Sequence, residues 1–329
     1  MNHTIEIFAT LGNRLKDFGK DSSTLEVMHR AIEQNEWFCE RDILLAVEAI
    51  REEFLDKEKL QRWAAAYTRG AAKRVAIIMA GNIPLVGFYD LLCVVMAGHT
   101  ALVKPSSKDK ILTEYIIELL RDIEPTIAIE PYSDQAAIDM AIDMAIATGG
   151  DEAARYFRTR YTNLPTIIRG SRHSLAVLDG KESKDEIEGL CRDIFSHNGL
   201  GCRNISLILL PHGMKLDITP PDTINPMTRG NYLQNKALKS MLGVAFTDLG
   251  GYIAVESNTF SDNISQINYY YYNSISEVKE WIAQNDEKIQ CVVSNSIDHP
   301  RRVAFGRAQY PTLWDVADGV DVMKFLTQR

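Results

Sequence analysis

Residues 74–104 read RVAIIMAGNIPLVGFYDLLCVVMAGHTALVK, and this stretch decides the fold. Arg74–Ala80 reads as a short strand, apolar from Val75 onward, Pro84–Ala97 reads as a helix, and Thr100–Lys104 (TALVK) is a second strand. Strand, helix and strand within about 30 residues make a βαβ unit, whose strands lie parallel. The rhythm continues downstream. Helices are expected over Lys108–Ile123, Gln135–Met144 and Asp151–Tyr161, with strands at Thr126–Ile129, Ala145–Thr148 and Pro165–Arg169. Apolar strands alternating with helices imply an α/β fold with a doubly wound parallel sheet. Such sheets bind ligands at the carboxyl ends of their strands.

Working outward, the first seventy or so residues read as a helical cap. Ser22–Gln34 opens on a Ser/Thr cap, Arg41–Phe54 repeats the apolar spacing, and a third helix spans Lys57–Tyr67. The tandem AIDMAIDM at 137–144 keeps Ile138/Ile142 and Met140/Met144 on one helix face. Beyond Asp179 lies a second α/β block. Its helices are Asp185–Phe195, Tyr232–Met241 and Ser276–Asn285, and its strands are Asn204–Pro211, Tyr252–Glu256, Tyr269–Tyr272 and Lys288–Ser294. Lys215–Arg229 reads as a loop, and Arg169–Gly180 is the best hinge. The expected division is a cap and dinucleotide-binding domain over 1–170, a catalytic cysteine domain over 171–309, and a return or oligomerisation segment over 310–329.

The chain has 329 residues, 46% of them apolar and 24% charged, the balance of a soluble globular protein. Its net charge of -8 argues against nucleic acid or an anionic membrane as the main partner, so a phosphate must be held by local cations. Five cysteines without CxxC spacing fit a reducing cytosol, with neither a disulfide framework nor a zinc site. Met1–Gly12 lacks the pattern of a signal peptide, and no apolar run is long enough to span a bilayer. A cytoplasmic protein without integral membrane association is expected.

Four segments carry chemistry. The richest is Phe195–Cys202 (FSHNGLGC). Its polar, glycine-rich approach argues against a core role for Cys202, and the neighbouring Arg203 would favour the thiolate. The second, Gly81-Asn82-Ile83-Pro84, follows the first strand without GxGxxG spacing, so a generic Rossmann fingerprint is absent. There Asn82 either caps the helix starting at Pro84 or donates to an oxyanion, and capping is the simpler role. The third holds Lys104, Ser107 and Lys108 after the second strand, a phosphate or ribose site or else a helix start with solvated lysines. In the fourth, Gly149 and Gly150 precede a helix whose N-terminal amides suit a pyrophosphate.

In order and rough spacing these segments resemble the aldehyde dehydrogenase superfamily. The closest likeness is to its acyl-CoA reductase branch, typified by the fatty acyl reductase subunit of bacterial luminescence. The likeness runs from about Val75 to the carboxyl terminus and is strongest in GNIPLVGFYDLLCVVMAGHTALVKPSSKD and FSHNGLGCRNIS. It implies that Cys202 is the nucleophile and that Asn82 polarises the carbonyl together with the N–H of Cys202. It also implies that Lys104 binds the adenine ribose and that Gly149 and Gly150 stand where the family has Thr-Gly-Ser. Two departures matter. If Gly170 anchors the alignment, Ile168 occupies the place of the hydrolytic glutamate. The ribose-gripping glutamate of the Glu-x-Phe-Gly-Pro motif has no clear counterpart before Tyr269.

The resemblance implies reduction of an acyl thioester, from CoA or an acyl carrier as co-substrate, to an aldehyde through an acyl-Cys202, without a metal. NADPH is the expected cofactor, because Ser107 stands where NAD-preferring relatives carry a glutamate. His197, five residues before Cys202, either protonates the leaving thiolate or orients the loop. Arg301, Arg302 and Arg307 are read as solvated by default. Besides its substrate, the expected partners are a second copy of the chain in a homo-oligomer and an acyl-activating or acyl-transferring enzyme. The rival readings are an NAD(P)-dependent semialdehyde dehydrogenase, an acyl transferase subunit with a degenerate cofactor cleft, and a non-catalytic module that kept the fold.

Overall fold

A computed structural model describes residues 1–132 and 142–328 of the chain. It divides into two compact units, one of Met1–Ser171 with Tyr310–Arg329 and one of Arg172–Gln309. Among the described residues the first unit holds five strands: β1 Arg74–Ile78, β2 Thr100–Lys104, β3 Ile129–Pro131, β4 Met144–Thr148 and β5 Thr166–Arg169. They pair in the order β3-β2-β1-β4-β5, all parallel. Side chains alternate between two apolar layers. Val75 and Ile77 point into a large core with the amino-terminal helices, and Ala76 and Ile78 point toward Phe157 and Tyr161. A parallel sheet covered on both faces requires such strands to be apolar throughout.

The cap consists of helices Asn2–Arg14, Ser22–Gln34, Glu40–Ala49 and Lys57–Ala64. The first of these has no delimited counterpart in the sequence reading, and Glu40–Ala49 runs on as a π-helical turn over Ile50–Phe54. Asp21, not a Ser or Thr, caps Ser22–Gln34, accepting from Ser23 and Thr24 N–H. The carboxyl-terminal segment packs on this same unit. Tyr89 donates to Leu313 O at 3.2 Å, and Tyr67 donates to Asp321 at 3.0 Å.

The second unit holds seven strands: β6 His173–Val177, β7 Ile205–Pro211, β8 Thr247–Asp248, β9 Ile253–Glu256, β10 Gln266–Tyr272, β11 Ile289–Val293 and β12 Arg302–Val303. Their order is β12-β11-β6-β7-β10-β9-β8, with only β8 antiparallel to its neighbour. Leu175, Val177, Leu207 and Leu209 face one core, while Ala176, Leu178, Ile208 and Leu210 face the other.

Several boundaries differ from expectation, each for a local reason. The helix expected from Pro84 begins at Phe88, because Leu85 has a left-handed φ of +55° that no α-helix accommodates. The helix expected from Lys108 begins at Lys110, after a turn closed by Asp109 N–H on Ser106 O. The strand expected at Thr126–Ile129 is β3, set by its register of Ala101 with Ile129. The interval 169–180 is no open hinge, since β6 forms within it. The loop expected through Arg229 ends at Pro226, where a 16-residue helix Pro226–Met241 starts with a proline in its first turn. Of the helix expected over 135–144, and of the tandem within it, the residues up to 141 lie outside the described residues, and Met144 is already strand.

One buried ion pair ties the first sheet to its helix. Arg169, ending β5, donates from Nη1 and Nη2 to the two carboxylate oxygens of Asp90 at 2.6 and 3.0 Å. The two side chains are 10% and 7% exposed, so removing one strands the other charge in a poorly solvated place. Arg169→Ala should lower unfolding stability by about 3–5 kcal/mol in urea denaturation. A loss below about 1 kcal/mol, the range of a surface pair, would contradict this account.

Candidate active site

The cysteine loop belongs to the second unit. Helix Lys184–Phe195 opens with a capping box, Ser183 and Glu186 bonding reciprocally, and ends at Phe195. Three residues then take left-handed backbone in succession: His197 (φ 51°), Asn198 (φ 56°) and Gly199 (φ 74°). Only the last is a glycine, so the turn carries local strain of order 1–3 kcal/mol for each side-chain-bearing residue. It is held by Asn204, a buried residue at the mouth of β7. The Asn204 carboxamide accepts from Gly201 N–H at 2.8 Å and donates to the carbonyls of Asp193, Ile194 and Ser196 at 3.1, 3.2 and 2.8 Å. One side chain thus clamps the end of the helix to the loop before the cysteine.

Cys202 is exposed, whereas Cys93 and Cys291 are buried and Cys39 and Cys191 half-buried. Burial pushes the thiol of Cys39 up to about 11 and raises those of Cys93 and Cys191, which disfavours their reactive thiolates. The Cys202 carbonyl accepts from Ser174 Oγ at 2.8 Å, and that hydroxyl in turn accepts from Cys291 N–H at 3.1 Å. Arg203 Nε donates to Ala308 O, so this cation also anchors the loop. His197 is buried within the turn, and Thr228 donates to Asn198 Oδ1 at 3.0 Å.

The other candidates stand on the first unit, at the carboxyl edge of its sheet. Register pairs Ile78 with both Lys104 and Ala147, so β1, β2 and β4 end side by side. The segments bearing Asn82, Lys104 and Gly149 therefore leave one edge together. Asn82 is exposed and is not the N-cap of the helix that follows it, Phe88–Met96, whose N-cap is Gly87. That removes the simpler of its two sequence roles. Lys104 is half-buried at the end of β2, and Ser107 and Lys108 are exposed in the turn that follows. Gly149 and Gly150 lead into helix Asp151–Arg160, which receives no side-chain cap from Gly150. A side chain at Gly150 would meet nothing within 4 Å, whereas Asp151 turns to Ser171 N–H at 2.8 Å, which holds its carboxyl below the usual range. Ile168 packs beside Ala145, Ala147 and Phe157 and brings no base to this edge.

Sequence reasoning missed the residues that hold the site: Asn204, Ser174, Asp193 and, on the first unit, Asp109 and Asn35. The one available signal was a polar Asn204 opening the otherwise apolar run NISLILLP. Among the described residues no three His, Cys, Asp or Glu side chains gather as a metal site would need. No helix among them is long and apolar enough to cross a membrane.

Residues 13–219 match the sequence model of the family described as acyl-CoA reductase (LuxC). The chain is 22% identical over 152 residues to the long-chain acyl-protein thioester reductase of Aliivibrio fischeri, a match covering 41% of this chain and 32% of that protein. The match thus spans about a third of the relative's length. Aldehyde dehydrogenase 21 of Physcomitrella patens, solved with succinate, superposes with a TM-score of 0.69 at 12% identity over 99% of this chain and 83% of that one. An oxidoreductase of Marinobacter aquaeolei gives 0.69 at 12% identity, over 94% and 78%. At such identities the structures establish the aldehyde-dehydrogenase-like α/β fold and nothing finer.

Beneath the cysteine loop, Asp193 accepts from Gly306 N–H at 2.7 Å and Ala308 N–H at 2.9 Å. Burial lifts its carboxyl from 3.8 to about 7, against the pull of those two bonds. In the unfolded chain it ionises near the ordinary value, so its contribution to stability is complete below about pH 4 and lost as pH rises toward 7. Between these limits the stability of wild type should therefore fall with rising pH relative to Asp193→Asn, whose carboxamide does not titrate. Thermal melts of both proteins from pH 4.5 to 7.5 test this, and parallel curves would contradict it.

Proposed function

Because the chain belongs to the acyl-CoA reductase (LuxC) family, we propose that it reduces an acyl thioester to an aldehyde with NADPH, through an acyl-enzyme on Cys202. The observation that carries this reading is the state of Cys202. It is the exposed thiol of the chain, at the end of a strained turn that one buried asparagine holds. The relative named for acyl-protein thioester reduction supports the substrate class, with the acyl group on CoA or on a carrier.

In this reading the Cys202 thiolate attacks the thioester carbonyl carbon. The bond to the carrier sulfur breaks, the carrier thiol leaves with a proton, and acyl-Cys202 remains. The donors assigned to the oxyanion are the Cys202 N–H and the Asn82 carboxamide, each worth about 3–4 kcal/mol by analogy with well-studied oxyanion holes. The reduced nicotinamide, when bound, supplies the hydride. The carbon–sulfur bond to Cys202 then breaks, the aldehyde departs, and the cysteine is free again. The carboxyl edge of the first sheet suits such a dinucleotide. Gly150 borders open space, the helix after it has no side-chain N-cap bond, and Lys104 ends the neighbouring strand β2 with Lys108 in the turn that follows.

The central test is intact-protein mass after mixing the enzyme with acyl-CoA in the absence of NADPH. Wild type should gain one acyl group, mapped to Cys202, and hold it. Ile168 offers no base to activate water, help that is typically worth ~100- to 10,000-fold. Cys202→Ala should gain nothing and make no aldehyde. Acylation at another cysteine, or multiple-turnover release of free acid, would overturn the assignment.

Cofactor preference follows from the turn after β2. The Ser107 hydroxyl can donate to a 2′-phosphate and Lys108 adds positive charge, where a carboxylate would repel it. NADPH should have the higher kcat/KM, and Ser107→Glu should weaken NADPH binding at least tenfold, about 1.4 kcal/mol, while sparing NADH. Nucleotide fluorescence titration checks both, and equal or better use of NADH by wild type would refute the preference.

A further inference from the structure

The loop that bears Asn82 is held by a side chain for which the chemistry above has no use. Asp109 is only 3% exposed, beneath the segments that follow β1 and β2. Its Oδ2 accepts from Leu85 N–H at 2.7 Å. Its Oδ1 is equally enclosed and makes no hydrogen bond among the described residues. Asp109 is also the N-cap of helix Lys110–Ile123, yet its side chain makes no capping bond there. Capping is the ordinary employment of an aspartate in that place. Here the carboxyl is turned away from its own helix and buried against another loop, a placement that costs solvation.

The two loops are otherwise closely fitted. A Cβ on Gly81 would stand 2.5 Å from Ser106 Oγ and 3.2 Å from Asp109 Cβ. Buried Asn35 donates from Nδ2 to Gly81 O at 3.3 Å and to Lys108 O at 3.2 Å. Met79 N–H donates to Lys104 O at 3.0 Å. Of these contacts, the bond from Leu85 to Asp109 acts on a backbone in the wrong region for its residue type. A non-glycine residue in left-handed backbone is strained, because its Cβ crowds the following carbonyl oxygen. Released, Leu85 would relax to right-handed backbone, and the helix now starting at Phe88 would extend back to Pro84, a residue suited to a first helical turn. Asn82 would then sit just ahead of a helix, where its side chain caps amides.

We propose that Asp109 is a positioning residue. By holding Leu85 left-handed it stops the helix at Phe88 and so places Asn82 away from a helix start, beside the end of β2. The proposal rests on the reading of Asn82 as the oxyanion donor. Burial raises the Asp109 carboxyl well above the usual range and so favours its uncharged form, and an asparagine carbonyl can accept the same bond from Leu85 N–H.

A double-mutant cycle on the full chain tests it, with kcat and KM for acyl-CoA reduction as readouts. Asn82→Ala should lower kcat about 100-fold or more. Asp109→Ala should lower it about tenfold while leaving the KM for acyl-CoA within about twofold. The double variant should be no slower than Asn82→Ala alone, since Asp109 acts only through that side chain. Asp109→Asn should stay within about threefold of wild type, with the wild-type pH profile. If Asp109→Ala does not fold, Asp109→Leu repeats the cycle, because it fills the same space and lacks the acceptor. Additive losses, an unchanged kcat in Asp109→Leu, or failure of Asp109→Asn to rescue would overturn the proposal while leaving Asn82 its role. An unchanged kcat in Asn82→Ala would overturn that role and this proposal with it.

Discussion

Parallel pairing is the constraint on which the arrangement of the first unit depends. Two consecutive parallel strands cannot be joined by a tight turn, so the chain must cross back over the sheet before each new strand. Every strand of the order β3-β2-β1-β4-β5 therefore ends on one edge. Three segments far apart in sequence, beginning after Ile78, Lys104 and Thr148, leave that edge side by side. The same topology buries both faces, which explains why the buried positions of β1 and β2, Val75–Ile78 and Ala101–Val103, are all apolar. A site assembled from strand ends follows from the hydrogen-bonding geometry of the sheet before any side chain is considered.

The second unit meets a different demand, which is to keep a thiol exposed at a fixed place. Exposure alone would leave Cys202 on a wandering loop. The chain instead takes a left-handed turn over 197–199 and clamps it with buried polar groups. Asn204 closes the turn on the preceding helix, Ser174 takes the Cys202 carbonyl, and Asp193 holds the segment to which Arg203 is bonded. Buried polar groups are costly unless satisfied, so these residues specify one loop conformation more than they add stability. Both units use this device, since a buried carboxyl under the Asn82 loop does for Leu85 what Asn204 does for the turn before Cys202.

The structural neighbours share about one residue in eight with this chain, yet superpose over nearly all of it. Such a likeness is carried by layer architecture and strand order, which many sequences satisfy. What separates the acyl reductase reading from an ordinary aldehyde dehydrogenase is local. Ile168 stands in an apolar cluster with Ala145 and Phe157, and Arg169 beside it is committed to Asp90. Neither supplies the base that hydrolysis of an acyl-enzyme requires.

Reading the sequence was enough to find strands such as RVAII, TALVK and ISLILLP, which are apolar runs too short and too β-branched for helices, but it missed β6, taken for a hinge, and the two-residue strands β8 and β12. It also singled out Cys202, since a glycine-rich polar approach is a local property of the chain. It misjudged the start of the helix after β1, where proline and a long apolar run favour helix from Pro84. A carboxyl 24 positions later decides otherwise, by taking the N–H of Leu85. The two left-handed residues before Gly199 were equally hidden, for nothing in Ser-His-Asn forces that backbone without Asn204 to hold it. Periodicity and composition are written along the chain and can be read there. A hydrogen bond between distant residues exists only once folding has brought donor and acceptor within about 3 Å, and such bonds fix the loops on which the proposed chemistry stands.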